Sequence, residues 1–189
     1  AVVAPHAVPP AIYSLQQKLA AIAALGTDAA LVIPFDEAFS RRTAESFITQ
    51  LIRDFGSVRS LCVGREFTFG HRRQGNVALL ERMGAEHGFK VHGLASVSLD
   101  GQVVSSTRIR QCIQTGNLDA ASQMLGREYE LSGTVMPGDR LGRQLGFPTA
   151  NLDIQGLATP PSGVYAVQAR LGQRRLRGVA NLGSRPTVA

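Results

Sequence analysis

The apolar positions of the first two thirds of the chain fall into alternating helical and strand-like runs. Ser14 precedes Leu15, Leu19 and Ile22, which share one helical face, and Gln17 three residues later completes a capping-box pattern. Gly26 ends that helix. The unbroken apolar run from Ala29 to Phe35 predicts a buried strand. Thr43 caps a second helix in which Phe47, Leu51 and Phe55 recur every four residues, and Gly56 stops it. Val58 to Val63 predicts another strand, followed by a glycine-punctuated loop. Val77 to Glu86 predicts a helix closed by Gly88, and Phe89 to Leu94 a further strand. After Ser105-Ser106-Thr107 a helix runs to about Gln114, Thr115-Gly116-Asn117 turns the chain, and Leu118 to Leu125 forms a last helix ending at Gly126. Such alternation predicts a parallel, doubly wound α/β sheet that binds ligands beyond the carboxyl ends of its strands.

From Arg127 the helical period disappears. Strand-like segments at Tyr129–Met136, Val164–Leu171 and Leu176–Asn181 are separated by turns rich in Gly and Pro, the pattern of an antiparallel barrel or sandwich. The pattern therefore predicts two domains, residues 1–126 and 127–189. The second, at roughly 63 residues, is small for a complete barrel. Ala1-Val2-Val3 reads as a strand already under way and the chain stops after Arg185-Pro186-Thr187-Val188-Ala189 without a closing element, so a chain open at both ends is expected.

Composition narrows the class. The 189 residues are 44% hydrophobic and 18% charged, which places them among globular chains rather than disordered ones. No stretch approaches the roughly 20 apolar residues of a membrane helix, and the first residues lack the positive start and cleavage site of a signal peptide. Cys62 and Cys112 make neither a disulfide framework nor a metal-ligand spacing, so reduced thiols and a cytoplasmic setting are expected. The net charge of +6 is uneven: residues 1–107 carry 10 basic and 9 acidic side chains, residues 108–189 carry 10 and 5. The one tight basic cluster, Arg174, Arg175 and Arg177, flanks a hairpin turn and reads first as a solvated face. With no tryptophan and few tyrosines to stack bases, a nucleic-acid partner is not expected.

Three segments carry the candidate chemistry. In Ser105-Ser106-Thr107-Arg108-Ile109-Arg110, three hydroxyls open a helix whose free N–H groups attract anions, and Arg110 stands on the same face as Ser106 and Thr107. That set could grip a phosphate; it equally fits an ordinary capped start with a solvent-facing arginine. In Gly64-Arg65-Glu66-Phe67-Thr68-Phe69-Gly70, two aromatics beside glycines can wall a planar ring, or simply be core residues in a tight loop. In the stretch from Pro137 to Asn151, the glycines Gly138, Gly142 and Gly146 expose backbone N–H groups that could cradle phosphates. Thr149 and Asn151, two apart on an extended segment, offer oxygens to one face, where Mg²⁺ on a nucleotide could be met. A plain glycine-rich hairpin loop fits the same residues.

The order of these strings resembles the prokaryotic bifunctional riboflavin kinase/FMN adenylyltransferase (FAD synthetase) family over essentially the whole chain. The marks are Pro5-His6, the Gly64–Gly70 loop, Ser105–Arg110, Gly146-Phe147-Pro148-Thr149-Ala150-Asn151, Gly163-Val164-Tyr165-Ala166 and Asn181-Leu182-Gly183-Ser184-Arg185-Pro186-Thr187. The resemblance implies an α/β Rossmann-like nucleotidyltransferase domain followed by a partial antiparallel β-barrel riboflavin kinase domain. It implies two reactions: ATP-dependent phosphorylation of riboflavin to FMN, and adenylylation of FMN to FAD with release of pyrophosphate. By the same resemblance Ser105, Ser106, Thr107 and Arg110 hold ATP phosphates, with Ser106, Thr107 and Arg110 serving catalysis. Glu66, Phe67 and Phe69 line the flavin side. Gly138, Asp139 and Gly146 shape the kinase nucleotide loop, and Thr149 and Asn151 coordinate Mg²⁺ and phosphate. The implied partners are small molecules (ATP, riboflavin, FMN), without nucleic acid or membrane.

Some positions depart from the family's pattern. Glu66 stands where Asp or Asn is usual, and Ala7 where proline is usual. The His-x-Gly-His loop of the family belongs before Ala1 and the kinase's glutamate base beyond Ala189, so these 189 residues alone are expected to catalyse neither reaction well. The alternative is a non-catalytic flavin- or nucleotide-binding relative.

Overall fold

The structure, a computed structural model, describes residues 8–138, 141–144 and 146–183. Pro5, His6, Asp139 and the Ser184–Thr187 string lie outside the described residues. In chain order the elements are α1 (Leu15–Ala23), α2 (Glu37–Ser40), α3 (Ala44–Phe55), β1 (Ser60–Gly64), a 3₁₀ turn (His71–Arg73), α4 (Val77–His87), β2 (Lys90–Leu94), β3 (Ser98–Leu99) and β4 (Gln102–Val103). They continue as α5 (Ser106–Gln114), α6 (Leu118–Leu125), β5 (Thr134–Met136), α7 (Leu141–Gln144), β6 (Asn151–Asp153), β7 (Gly163–Leu171) and β8 (Arg174–Leu182). They fall into two compact units, one holding Ala30–Val103 with residues 8–9, the other Pro10–Ala29 and the residues from Val104 onward.

The first unit is built on a strand–helix–strand crossover. β1 and β2 pair in parallel from Ser60↔Lys90 to Gly64↔Leu94. Between them runs α4, started by Asn76, whose side chain accepts from Leu79 N at 2.9 Å, and ended by Gly88 in the left-handed region. Leu79, Leu80 and Met83 turn their faces to a core shared with Ala44, Ile48 and Phe89. Burying a side chain such as Leu80 stabilises the unit by about 1.5–3 kcal/mol. Gly84 is required there, because a Cβ would strike the Phe89 carbonyl. In α3 the cap is Thr43, as the pattern predicts; Ala44 and Ile48 are its buried residues, and Phe47 and Ile52 pack against the same core from partly buried positions. Phe55 is left exposed.

The second unit is organised by α5 and α6, packed as a helical hairpin through Ile109, Ile113 and Ala121, with Ala158 closing the same core. α1 joins this unit. Its capping box is present at Ser14 and Gln17, and the buried Gln17 side chain donates onward to the Glu130 carbonyl at 3.1 Å. The C-terminal strands form two separate antiparallel pairs, β5–β6 and β7–β8. Among the described residues these pairs do not close into a barrel, and both faces of the long β7–β8 hairpin are largely exposed.

Three expectations change. Residues 29–35 form no strand and stand exposed, and no strand among the described residues pairs with them, so the run lacks the ladder that a strand requires. The Tyr129–Met136 segment pairs only over Thr134–Met136. The glycine-rich stretch contains a helical turn, α7. Gly146, with φ of +79°, donates to Arg143 O at 3.2 Å, and Phe147 donates to Gly142 O at 2.7 Å, which together end the turn.

Candidate functional site

The predicted site residues are shared between the two units. In the first, the chain leaves β1 with Arg65 N donating to Leu94 O at 2.8 Å, then turns as Phe67 N donates to Gly64 O at 2.9 Å. Two hydrogen bonds between Phe69 and Gly75, 3.0 and 2.9 Å, close the following loop at its neck. Gly70, at φ of +75°, lies so near the start of α3 that a Cβ would sit 2.6 Å from Ala44 N. Arg72 and Arg73 are held at positive φ (51° and 56°), a conformation costing a non-glycine residue about 1–2 kcal/mol. What opposes that strain is the loop's attachment: His71 N donates to Arg42 O at 2.7 Å, and His71 Nδ1 lies 3.1 Å from Ser40 O.

On this rigid loop Glu66 is exposed, Phe67 is 41% exposed and Phe69 is half-buried. Phe67 stacks on Phe69 with centroids 5.4 Å apart. Phe69 meets Phe47 edge-on, Phe47 meets Phe39, and Phe39 meets Phe35, so five rings form one continuous ladder. The Arg42 guanidinium sits 5.5 Å from the Phe39 centroid. Sequence reasoning found only the two terminal rings of that ladder near Gly64; the i, i+4 pair Phe35 and Phe39 was the available signal for the others.

In the second unit Ser105 is the cap of α5, its hydroxyl accepting from Arg108 N at 3.2 Å. Ser106 and Thr107 are exposed in the first turn. Arg110 is not the solvent-facing arginine of the simpler alternative. It is half-buried, and its Nε donates to the Pro10 carbonyl at 2.7 Å, 100 residues away in sequence.

The third segment lies in the same unit. Gly138 follows β5, Gly146 ends α7, and Asn151 opens β6 opposite Met136. Thr149 folds back over α7: a Cβ at Gly142 would collide with the Phe147 carbonyl and come within 3.1 Å of the Thr149 hydroxyl. Thr149 and Asn151 are exposed. Both are neutral oxygen donors, and no group of His, Cys, Asp or Glu suited to a metal occurs among the described residues. That donor set fits Mg²⁺ only where a nucleotide's phosphates balance its charge.

The sequence model of the FAD synthetase family matches residues 1–108. The chain belongs to the FAD synthetase family. A second model, for riboflavin kinase, matches residues 125–189, so Ser105, Ser106 and Thr107 fall in the first match and Gly138, Gly146, Thr149 and Asn151 in the second. The bifunctional riboflavin kinase/FMN adenylyltransferase of Escherichia coli (strain K12) is 41% identical over 182 residues, covering 96% of this chain and 58% of that protein. That of Haemophilus influenzae is 38% identical, covering 95% and 59%. The chain thus spans less than two thirds of the curated relatives it matches. A crystal structure described as that of a macrolide-efflux protein from Streptococcus pneumoniae has a TM-score of 0.77 at 27% identity, over 94% of this chain and 57% of that one.

Proposed function

We propose that the chain serves FAD biosynthesis, phosphorylating riboflavin to FMN and adenylylating FMN to FAD. The observation that carries the second activity is Arg110, half-buried and anchored through Nε to the Pro10 carbonyl, one turn along the helix from the exposed hydroxyls of Ser106 and Thr107. In this reading residues 1–126 belong to a Rossmann-like nucleotidyltransferase domain and residues 127–189 to part of an antiparallel riboflavin kinase barrel.

In the adenylyl transfer an FMN phosphate oxygen attacks the α-phosphorus of ATP. The new P–O bond forms as the bond to the β-phosphate bridging oxygen breaks, and pyrophosphate leaves. Charge on the departing pyrophosphate is met by Arg110, by the hydroxyls of Ser106 and Thr107, and by the N–H groups of the first turn that Ser105 caps. Glu66, Phe67 and Phe69 take the flavin. In the kinase step the riboflavin 5′-hydroxyl oxygen attacks the γ-phosphorus as the bond to the β,γ-bridging oxygen breaks, ADP leaves and the hydroxyl proton is released to water. Gly138 and Gly146 would shape the nucleotide loop, with Asp139 outside the described residues, while Thr149 and Asn151 would hold Mg²⁺. Bound there, the ion would supply neutralisation of phosphate charge. The two free thiols, Cys62 and Cys112, fit a cytoplasmic setting. Efflux is not carried over from the Streptococcus pneumoniae structure: no described helix is long and apolar enough to cross a membrane, and the more similar relatives are the bifunctional enzymes.

Calorimetric titration with FMN and with ATP–Mg²⁺ tests the proposal. Arg110→Ala and Thr149→Ala should each weaken ATP–Mg²⁺ binding; a folded protein that binds neither ligand would overturn it.

A further inference from the structure

We infer that the turn Gly156–Ala158, within the riboflavin kinase match, positions Arg110, which lies on the helix that the FAD synthetase match enters; this rests on the adenylyltransferase reading above. Ala11 and Leu157 form an isolated parallel bridge in which Ala11 N donates to Gly156 O at 2.8 Å and Ala158 N donates to Ala11 O at 2.8 Å. The N–H of Ala11 and the C=O of Pro10 belong to one planar trans peptide unit and point to opposite sides of it. One side therefore rests on Gly156, and the other accepts Arg110 Nε at 2.7 Å. A relay runs from the Gly156 carbonyl through a rigid amide to the guanidinium, and each bond polarises the next.

The turn is itself held from three directions. Gly156 has φ of +77°, which side chains resist. The Tyr129 hydroxyl donates to the Ala158 carbonyl. Ala158, 1% exposed, packs in the core with Ile109 and Ile113, the neighbours of Arg110 along α5. The same turn thus fixes both the helix that carries Arg110 and the carbonyl that orients it. Gly156 and Tyr129 are positioning residues in this arrangement, with no contact to a ligand required of either.

The test is titration of the protein with inorganic pyrophosphate, wild type beside Gly156→Val, Tyr129→Phe, Arg110→Ala and the Gly156→Val/Arg110→Ala double variant, with circular dichroism to establish folding. Gly156→Val should raise the pyrophosphate Kd about tenfold, the scale of one charge-assisted hydrogen bond. In the Arg110→Ala background it should change nothing, because the residue it positions is gone. If Gly156→Val unfolds the protein, the milder Tyr129→Phe should raise Kd by roughly threefold, a fraction of the same bond. Equal weakening with and without Arg110, or no weakening in folded Gly156→Val or Tyr129→Phe, overturns the positioning role while leaving the adenylyltransferase reading intact. Absence of pyrophosphate binding by the wild type overturns both.

Discussion

The ring of Phe67 lies on the ring of Phe69, 5.4 Å between centroids and 12° from parallel, at the point where the chain leaves β1. One face of Phe67 is thereby taken by Phe69, and the residue is 41% exposed. The two rings carry different loads. Phe69 also packs against the core and against Phe47.

Phe69→Ala should consequently destabilise the protein by about 2–4 kcal/mol. Phe67→Ala should cost less than about 1 kcal/mol, because its ring is already 41% exposed, yet weaken FMN binding severalfold. Urea unfolding midpoints and FMN titration of both variants separate the two effects. Loss of FMN affinity in neither variant would remove the loop from the flavin site.

Gly142→Ala should mimic Thr149→Ala. The added methyl meets the Phe147 carbonyl and the Thr149 hydroxyl, so the α7 turn must shift and carry Thr149 with it. Overpacking of this kind costs about 1–3 kcal/mol. ATP–Mg²⁺ affinity, measured calorimetrically, should fall in both single variants, with the double variant no worse than the weaker of them.

Tyr129 should make stability fall in alkali. Its hydroxyl is pushed up to about 12, first by burial and then by the neighbouring Tyr13. An unfolded tyrosine ionises near pH 10, so above that pH the unfolded chain loses the proton before the folded one does. The stabilisation is complete below pH 10 and is lost as the pH rises toward 12. Urea midpoints measured from pH 8 to 11.5 should drop more steeply in wild type than in Tyr129→Phe; parallel curves would mean the hydroxyl is not held in the fold.

Much of the local structure is legible along the chain. Ser14 with Gln17, Thr43, Ser105 and Asn117 all act as caps, and Gly56, Gly88 and Gly126 all stand at helix ends. These features depend on residues within a turn of one another, where steric and hydrogen-bonding preferences act before any tertiary contact forms. The candidate segments were visible for the same reason: hydroxyls at a helix start and aromatics between glycines are short-range patterns. Longer-range choices were not. Nothing local shows that Ala44 and Ile48 of α3 are buried while Phe55 is exposed, and nothing local keeps residues 29–35 from being a strand.

By itself, then, the sequence determined the helices α1, α3, α4, α5 and α6 with their caps and turns, the parallel crossover around α4, and the family to which the ordered motifs point. The tertiary structure alone decided what each of those elements meets. It paired Arg110 with Pro10 across 100 residues, seated Gly70 on Ala44 and joined five phenylalanines into one ladder. Such contacts exist only once distant segments have met, since the entropy of closing long loops is recovered by packing and hydrogen bonds that no short stretch can make alone.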